Sequence, residues 1–94
     1  MKVTCLQMNM KLGYPKENFT LAEKLIVESV KAQPDVIVLP ETWNTGFFPK
    51  ENLAELSCKT GYEVKSHIGA LAKQYGVNIV AGSVSNVRDG KVFN

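Results

Sequence analysis

Val36-Ile37-Val38-Leu39 constrains the fold more than any other segment, because four consecutive aliphatic residues, three of them β-branched, run directly into Pro40. Such a run favours a strand buried on both faces. Proline has no N–H to donate, so the ladder ends there and Glu41 falls just past the strand's carboxyl end. In open α/β sheets that edge is where ligands bind. A lone carboxylate at such an edge, leading into the aromatic, glycine-containing loop Thr42-Trp43-Asn44-Thr45-Gly46-Phe47, is a better candidate for chemistry than one on a helix surface. To work there it has to face a concavity at the mouth of the sheet.

The flanking pattern is strand-helix-strand. Lys2 to Met10 alternates loosely, with Val3, Cys5, Met8 and Met10 supplying the apolar side, and reads as a first strand broken by Gly13-Tyr14-Pro15. From Pro15 to Lys31, Phe19, Ala22, Leu25, Ile26 and Val30 recur at helical spacing, while Glu17, Lys24, Glu28 and Lys31 fall mostly on the other side. Gln33-Pro34-Asp35 ends that helix, and a helix-length crossover implies a parallel strand pair of right-handed connection. Glu51 to Leu56 reads as a short helix. A firmer one spans Tyr62 to Tyr75, where Val64, Ile68, Leu71, Ala72 and Tyr75 form one stripe and Gly76 is the expected left-handed stop. Val77 to Val84 reads as a third strand, and Asp89-Gly90 signals a hairpin with a turn of two residues or more.

The fold class is therefore α/β with a mostly parallel sheet. Val36 to Leu39 and Val77 to Ala81 carry apolar side chains on both parities and need cover on both faces. Right-handed crossovers between strands laid down in sequence put both helices on one face. The other face then needs a further layer, from later chain or from a partner.

A chain of 94 residues suffices for one small domain, burying about two thirds of its unfolded surface at best. With 45% hydrophobic and 21% charged residues it has the composition of an ordinary globular protein. The net charge of +2 comes from 11 basic and 9 acidic side chains scattered along the chain, so no basic stripe points to nucleic acid. Cys5 and Cys58 have neither CxxC nor CxxH spacing, which argues against structural zinc and for a reducing compartment. Neither a signal-peptide core nor a membrane-spanning run is visible, so the expected location is cytoplasmic and no membrane partner is expected.

Leu39-Pro40-Glu41-Thr42-Trp43-Asn44-Thr45-Gly46-Phe47, together with Ile79-Val80-Ala81-Gly82-Ser83-Val84-Ser85 and the opening strand, resembles the start of the nitrilase or carbon-nitrogen hydrolase superfamily, in its omega-amidase-type branch. The resemblance covers the whole chain, residues 1–94, as the N-terminal portion of a single hydrolase domain. It implies a four-layer αββα sandwich, usually at least a homodimer. It also implies a Glu-Lys-Cys triad that hydrolyses non-peptide carbon-nitrogen bonds of small amides through a cysteine-bound acyl intermediate, without metal or organic cofactor. Glu41 matches the general base. The lysine and the nucleophilic cysteine belong to later strands, and no lysine here, nor Cys5 or Cys58, sits in a matching motif, so these residues alone are expected to be inactive.

Plainer alternatives stand beside these assignments. Glu41 could be a solvated strand-end carboxylate. Trp43, Phe47 and Phe48 could line a substrate pocket or belong to the core or to a dimer contact, and Asn44 and Thr45 are expected to satisfy loop backbone groups rather than to orient Glu41. Cys5 is expected to be a small apolar filler, Cys58 to lie in a polar loop near Lys59, and His67 to sit on a helix surface beside the buried stripe. The competing function is a non-enzymatic α/β interaction module using its open sheet face.

Overall fold

A computed structural model of the chain describes residues 1–46, 58–59, 62–84, 86–89 and 91–93. Its elements in order are β1 (Val3–Cys5), α1 (Pro15–Val30), β2 (Val36–Val38), β3 (Cys58–Lys59), α2 (Tyr62–Tyr75), β4 (Asn78–Val80), β5 (Asn86–Arg88) and β6 (Lys91–Phe93). The helix expected over Glu51 to Leu56 lies outside the described residues.

β1, β2 and β4 form a parallel sheet in sequence order with β2 in the centre, where Val36 pairs with Val3 and Asn78, Ile37 with Thr4 and Ile79, and Val38 with Cys5 and Val80. Both helices cover the Ile37 face and touch each other. The core there joins Ala22 and Ile26 of α1, Ile68 and Leu71 of α2, and Ile37, Leu39, Trp43 and Val77. Complete burial of Ile26 and Ile37 contributes roughly 1.5–3 kcal/mol each.

Several boundaries differ from expectation, each for a visible reason. β1 stops at Cys5 rather than Met10. Its partner β2 is running out: Leu6 N–H still reaches the Val38 carbonyl at 2.9 Å, but Leu39 N–H turns to Val80 on the other side. The inward positions beyond β1 are Leu6, Met8 and Met10, which pack on the core, whereas Val3 and Cys5 face away and are exposed. Cys5 thus takes no part in the core between the sheet and the two helices. β4 covers Asn78–Val80 only, because Gly82 at φ +58° bends the chain out of the extended conformation.

α1 begins with Pro15 in its first turn, where a missing N–H costs nothing. It closes through Lys31, Ala32 and Gln33 amides bonded to the carbonyls three residues earlier, with Gln33 at φ +53°. α2 matches the expected span and Gly76 stops it at φ +61°. Cys58 lies in a strand, not a polar loop. β3 pairs parallel to β5, and β5 pairs antiparallel to β6 as a separate sheet whose Arg88–Lys91 pairing leaves a two-residue turn.

The second face of the parallel sheet presents Val3, Cys5, Val36, Val38 and Val80, of which Val3 and Val80 are each 52% exposed. This is the face for which a further layer was expected.

Candidate functional site

Glu41 stands where the sequence puts it, at the carboxyl end of β2, the central strand of the parallel sheet. Its side chain is exposed. Among the described residues nothing hydrogen-bonds or ion-pairs with that carboxylate, so the backbone on either side of it determines its position.

That backbone is unusual. Thr42, the next residue, has φ +43°, a left-handed conformation that a β-branched side chain adopts at a cost of order 1–3 kcal/mol. Its Oγ1 is enclosed with no partner among the described residues, a second cost. What offsets these is Trp43. It is completely buried, meets Phe19 edge to face at 4.7 Å between centroids and donates from Nε1 to the Ala81 carbonyl at 2.8 Å. An indole of about 200 Å² transfers from water with at most about 5 kcal/mol of stabilisation, enough to outweigh the strain beside it.

The loop is closed on its far side by a second anchor. Gly46 N–H donates to the Thr42 carbonyl at 2.8 Å, and Gly46 itself, at φ +80°, lies against Leu12, leaving a Cβ only 3.2 Å from two of its carbons. Gly13 N–H reaches the Thr45 carbonyl at 2.8 Å. Asn18, 1% exposed, sits on the buried stripe of α1 one turn before Ala22. Its Nδ2 donates to the carbonyls of Asn44 and Lys11, both at 2.8 Å, and its Oδ1 accepts from Lys11 N–H at 2.7 Å. Asn18 is a functional position beyond the candidates named from the sequence, and its one signal there is a polar residue continuing the apolar i, i+4 stripe of α1.

Nearby, the Lys11 ammonium contacts Glu17 at 2.8 Å, and the hydrogen bond and charge of Glu17 hold it above its ordinary value of 10.5. Both side chains are largely exposed, so the pair adds little.

The other candidates separate clearly. Trp43 takes the core alternative and presents no surface to a ligand; Phe47 and Phe48 lie outside the described residues. Asn44 and Thr45 are completely buried, and their carbonyls hold the loop as described. His67 is an exposed residue of α2 with its ring 5.5 Å from Phe19. A recess of about 790 Å³ between α1 and α2, walled by Lys16, Phe19, Glu23, Glu63 and His67, does not include Glu41. The described residues include neither a cluster of three His, Cys, Asp or Glu able to hold a metal nor a helix long and apolar enough to cross a membrane.

Residues 2–94 match the model of the carbon-nitrogen hydrolase family. The chain is 40% identical over 98% of its length to a 2-oxoglutaramate amidase of Bacillus subtilis, of which it covers 35%. It is 39% identical over its full length to a protein called hydrolase in agr operon from Staphylococcus aureus, of which it covers 36%. The chain thus spans about a third of the length of these relatives. Its fold is similar to the crystal structure of a carbon-nitrogen hydrolase superfamily protein from Xanthomonas campestris, with a TM-score of 0.81 at 24% identity, covering all of this chain and 34% of that one.

Proposed function

The chain belongs to the carbon-nitrogen hydrolase family, and from that premise we propose that it is the N-terminal portion of an amidase domain in which Glu41 is the general base. The observation that carries this is Glu41 at the carboxyl end of the central strand, immediately before a left-handed Thr42 held in place against its strain. Strained backbone of this kind concentrates at functional sites.

Thiols at their ordinary pKa of about 8.5 are mostly protonated near neutrality. A cysteine supplied by later chain attacks the amide carbonyl while Glu41 accepts its proton. As the tetrahedral intermediate collapses, the carbon-nitrogen bond breaks and Glu41 returns the proton to the departing ammonia or amine. Water then attacks the thioester, giving a proton to the same carboxylate; as the carbon-sulfur bond breaks, that proton passes to the departing thiolate, which releases the acid and restores the free thiol and the ionised Glu41. A lysine, also from later chain, stabilises the oxyanion and keeps Glu41 ionised.

Further chain also has to supply the walls of the site and cover the Val3, Cys5, Val36, Val38 and Val80 face. Phe47 is the aromatic residue to which we assign a substrate contact, while the buried Trp43 anchors the loop. The protein is cytoplasmic, homodimeric when complete, and takes no metal or organic cofactor. Residues 1–94 alone are inactive.

The substrate we propose is a small omega-amide of a dicarboxylic or keto acid, supported by the similarity to a 2-oxoglutaramate amidase. Ammonia release from 2-oxoglutaramate and from monoamides of short dicarboxylic acids, assayed with the full-length protein, tests it. Turnover of at least one of them, with an acyl adduct on a cysteine detected by mass spectrometry, is expected. A full-length protein that releases no ammonia from any of them would refute the substrate class.

A further inference from the structure

Because no described side chain steadies Glu41, its carboxylate can be no better placed than the two peptide units that flank it. Both are set by one segment, residues 80–83. Leu39 N–H donates to the Val80 carbonyl at 2.9 Å, Trp43 Nε1 to the Ala81 carbonyl at 2.8 Å, and Thr42 N–H to Ser83 Oγ at 3.1 Å. Gly82 lies between these contacts at φ +58°, so close that a Cβ would fall 2.1 Å from the Pro40 carbonyl oxygen and 2.7 Å from that of Leu39. The chain on both sides of Glu41 thus rests on a template built by the exit from β4.

Three of these contacts are ones a loop of any function would use: a backbone bond, a half-buried indole bond and close backbone packing. The fourth is different. Thr42 N–H belongs to the peptide unit that joins Glu41 to Thr42, and it is met by a side-chain hydroxyl rather than by a carbonyl. From this we infer that Ser83 is a positioning residue: its hydroxyl, accepting from Thr42 N–H, fixes the Glu41–Thr42 peptide and so aims the Glu41 carboxylate. Ser83 does not touch the reacting atoms. The inference rests on the proposal that Glu41 is the general base.

The expected magnitude follows from geometry. A catalytic group displaced by about 1 Å can lose on the order of 100-fold in rate; loss of one of several restraints gives a smaller displacement. Ser83→Ala is therefore expected to lower kcat about 10-fold with KM within about twofold, because the proton transfer and not substrate binding depends on the carboxylate's aim. Ser83→Thr, which keeps an Oγ acceptor, is expected to restore most of the rate.

The test is a kinetic double-mutant cycle in the full-length protein with 2-oxoglutaramate as substrate, comparing wild type, Ser83→Ala, Glu41→Asp and the double variant, with Ser83→Thr beside them. In Glu41→Asp the carboxylate is already drawn back by one methylene, so removing the hydroxyl as well is expected to cost less than about threefold more. That non-additivity is the signature of Ser83 acting through residue 41. A merely structural serine would lower both backgrounds by the same factor, and that outcome overturns the inference. So does wild-type kcat in Ser83→Ala, or Ser83→Thr as impaired as Ser83→Ala. Glu41→Gln with wild-type kcat would instead overturn Glu41 as the base; Glu41→Gln inactive with Ser83→Ala unaffected would overturn only the role of Ser83.

Discussion

Replacing Asn18 with alanine removes a side chain that holds two loops together, and the cost follows from what it leaves behind. The Asn44 carbonyl, whose bond from Asn18 is buried, loses a donor without access to water, for roughly 1–3 kcal/mol. Lys11 N–H and carbonyl lose half-buried bonds at roughly 0.5–1 kcal/mol each, since water can reach them. Alanine returns up to about 0.7 kcal/mol of helix propensity. The expected net loss is about 1–4 kcal/mol, measured by urea unfolding of the full-length protein. Asn18→Asp should be no milder: it keeps the acceptor for Lys11 N–H but points a carboxylate oxygen at two carbonyls. Hydrogen exchange gives the local readout, because the Gly46 and Gly13 amides close the same loop and should lose protection first. A loss below about 1 kcal/mol, with protection of both amides unchanged, would refute Asn18 as the clamp on the Glu41 loop.

Gly82→Ala is expected to cost about 3 kcal/mol or more in the same unfolding assay, because the new Cβ overlaps the Leu39 and Pro40 carbonyls and the left-handed backbone disfavours any side chain. Trp43→Phe, which keeps a ring against Phe19 but deletes the donor to the Ala81 carbonyl, is expected to cost about 2–4 kcal/mol from a lost hydrogen bond and a cavity.

Much of the fold is legible in the sequence because periodicity and backbone chemistry agree there. The α2 span, its glycine stop and the β2 run into Pro40 are each specified by local residues, and the strand-helix-strand order needs only the crossover rule. Strand lengths are not legible, because a ladder ends where its neighbour ends. Nothing within Lys2 to Met10 announces that β1 loses its partner after Cys5. Asp89-Gly90 signals the β5–β6 hairpin, but its pairing with β3 was hidden for a related reason, since a two-residue strand such as Cys58–Lys59 carries no period.

The candidate site shows the same division. Glu41 could be singled out from Pro40 and the apolar run before it. Trp43 could not be sorted between pocket and core without knowing that α1 lays Phe19 over it. Asn18, Gly82 and Ser83 matter through contacts 26 to 43 residues away in sequence, and no local pattern names those partners.

The central claim, Glu41 as the base that moves the proton, is tested most directly by kcat for 2-oxoglutaramate in the full-length Glu41→Gln variant. The amide is isosteric and cannot accept the thiol proton, so kcat should fall by a factor of about 100–10,000 while the protein melts as wild type. A folded Glu41→Gln protein turning over within about threefold of the wild-type rate would contradict it.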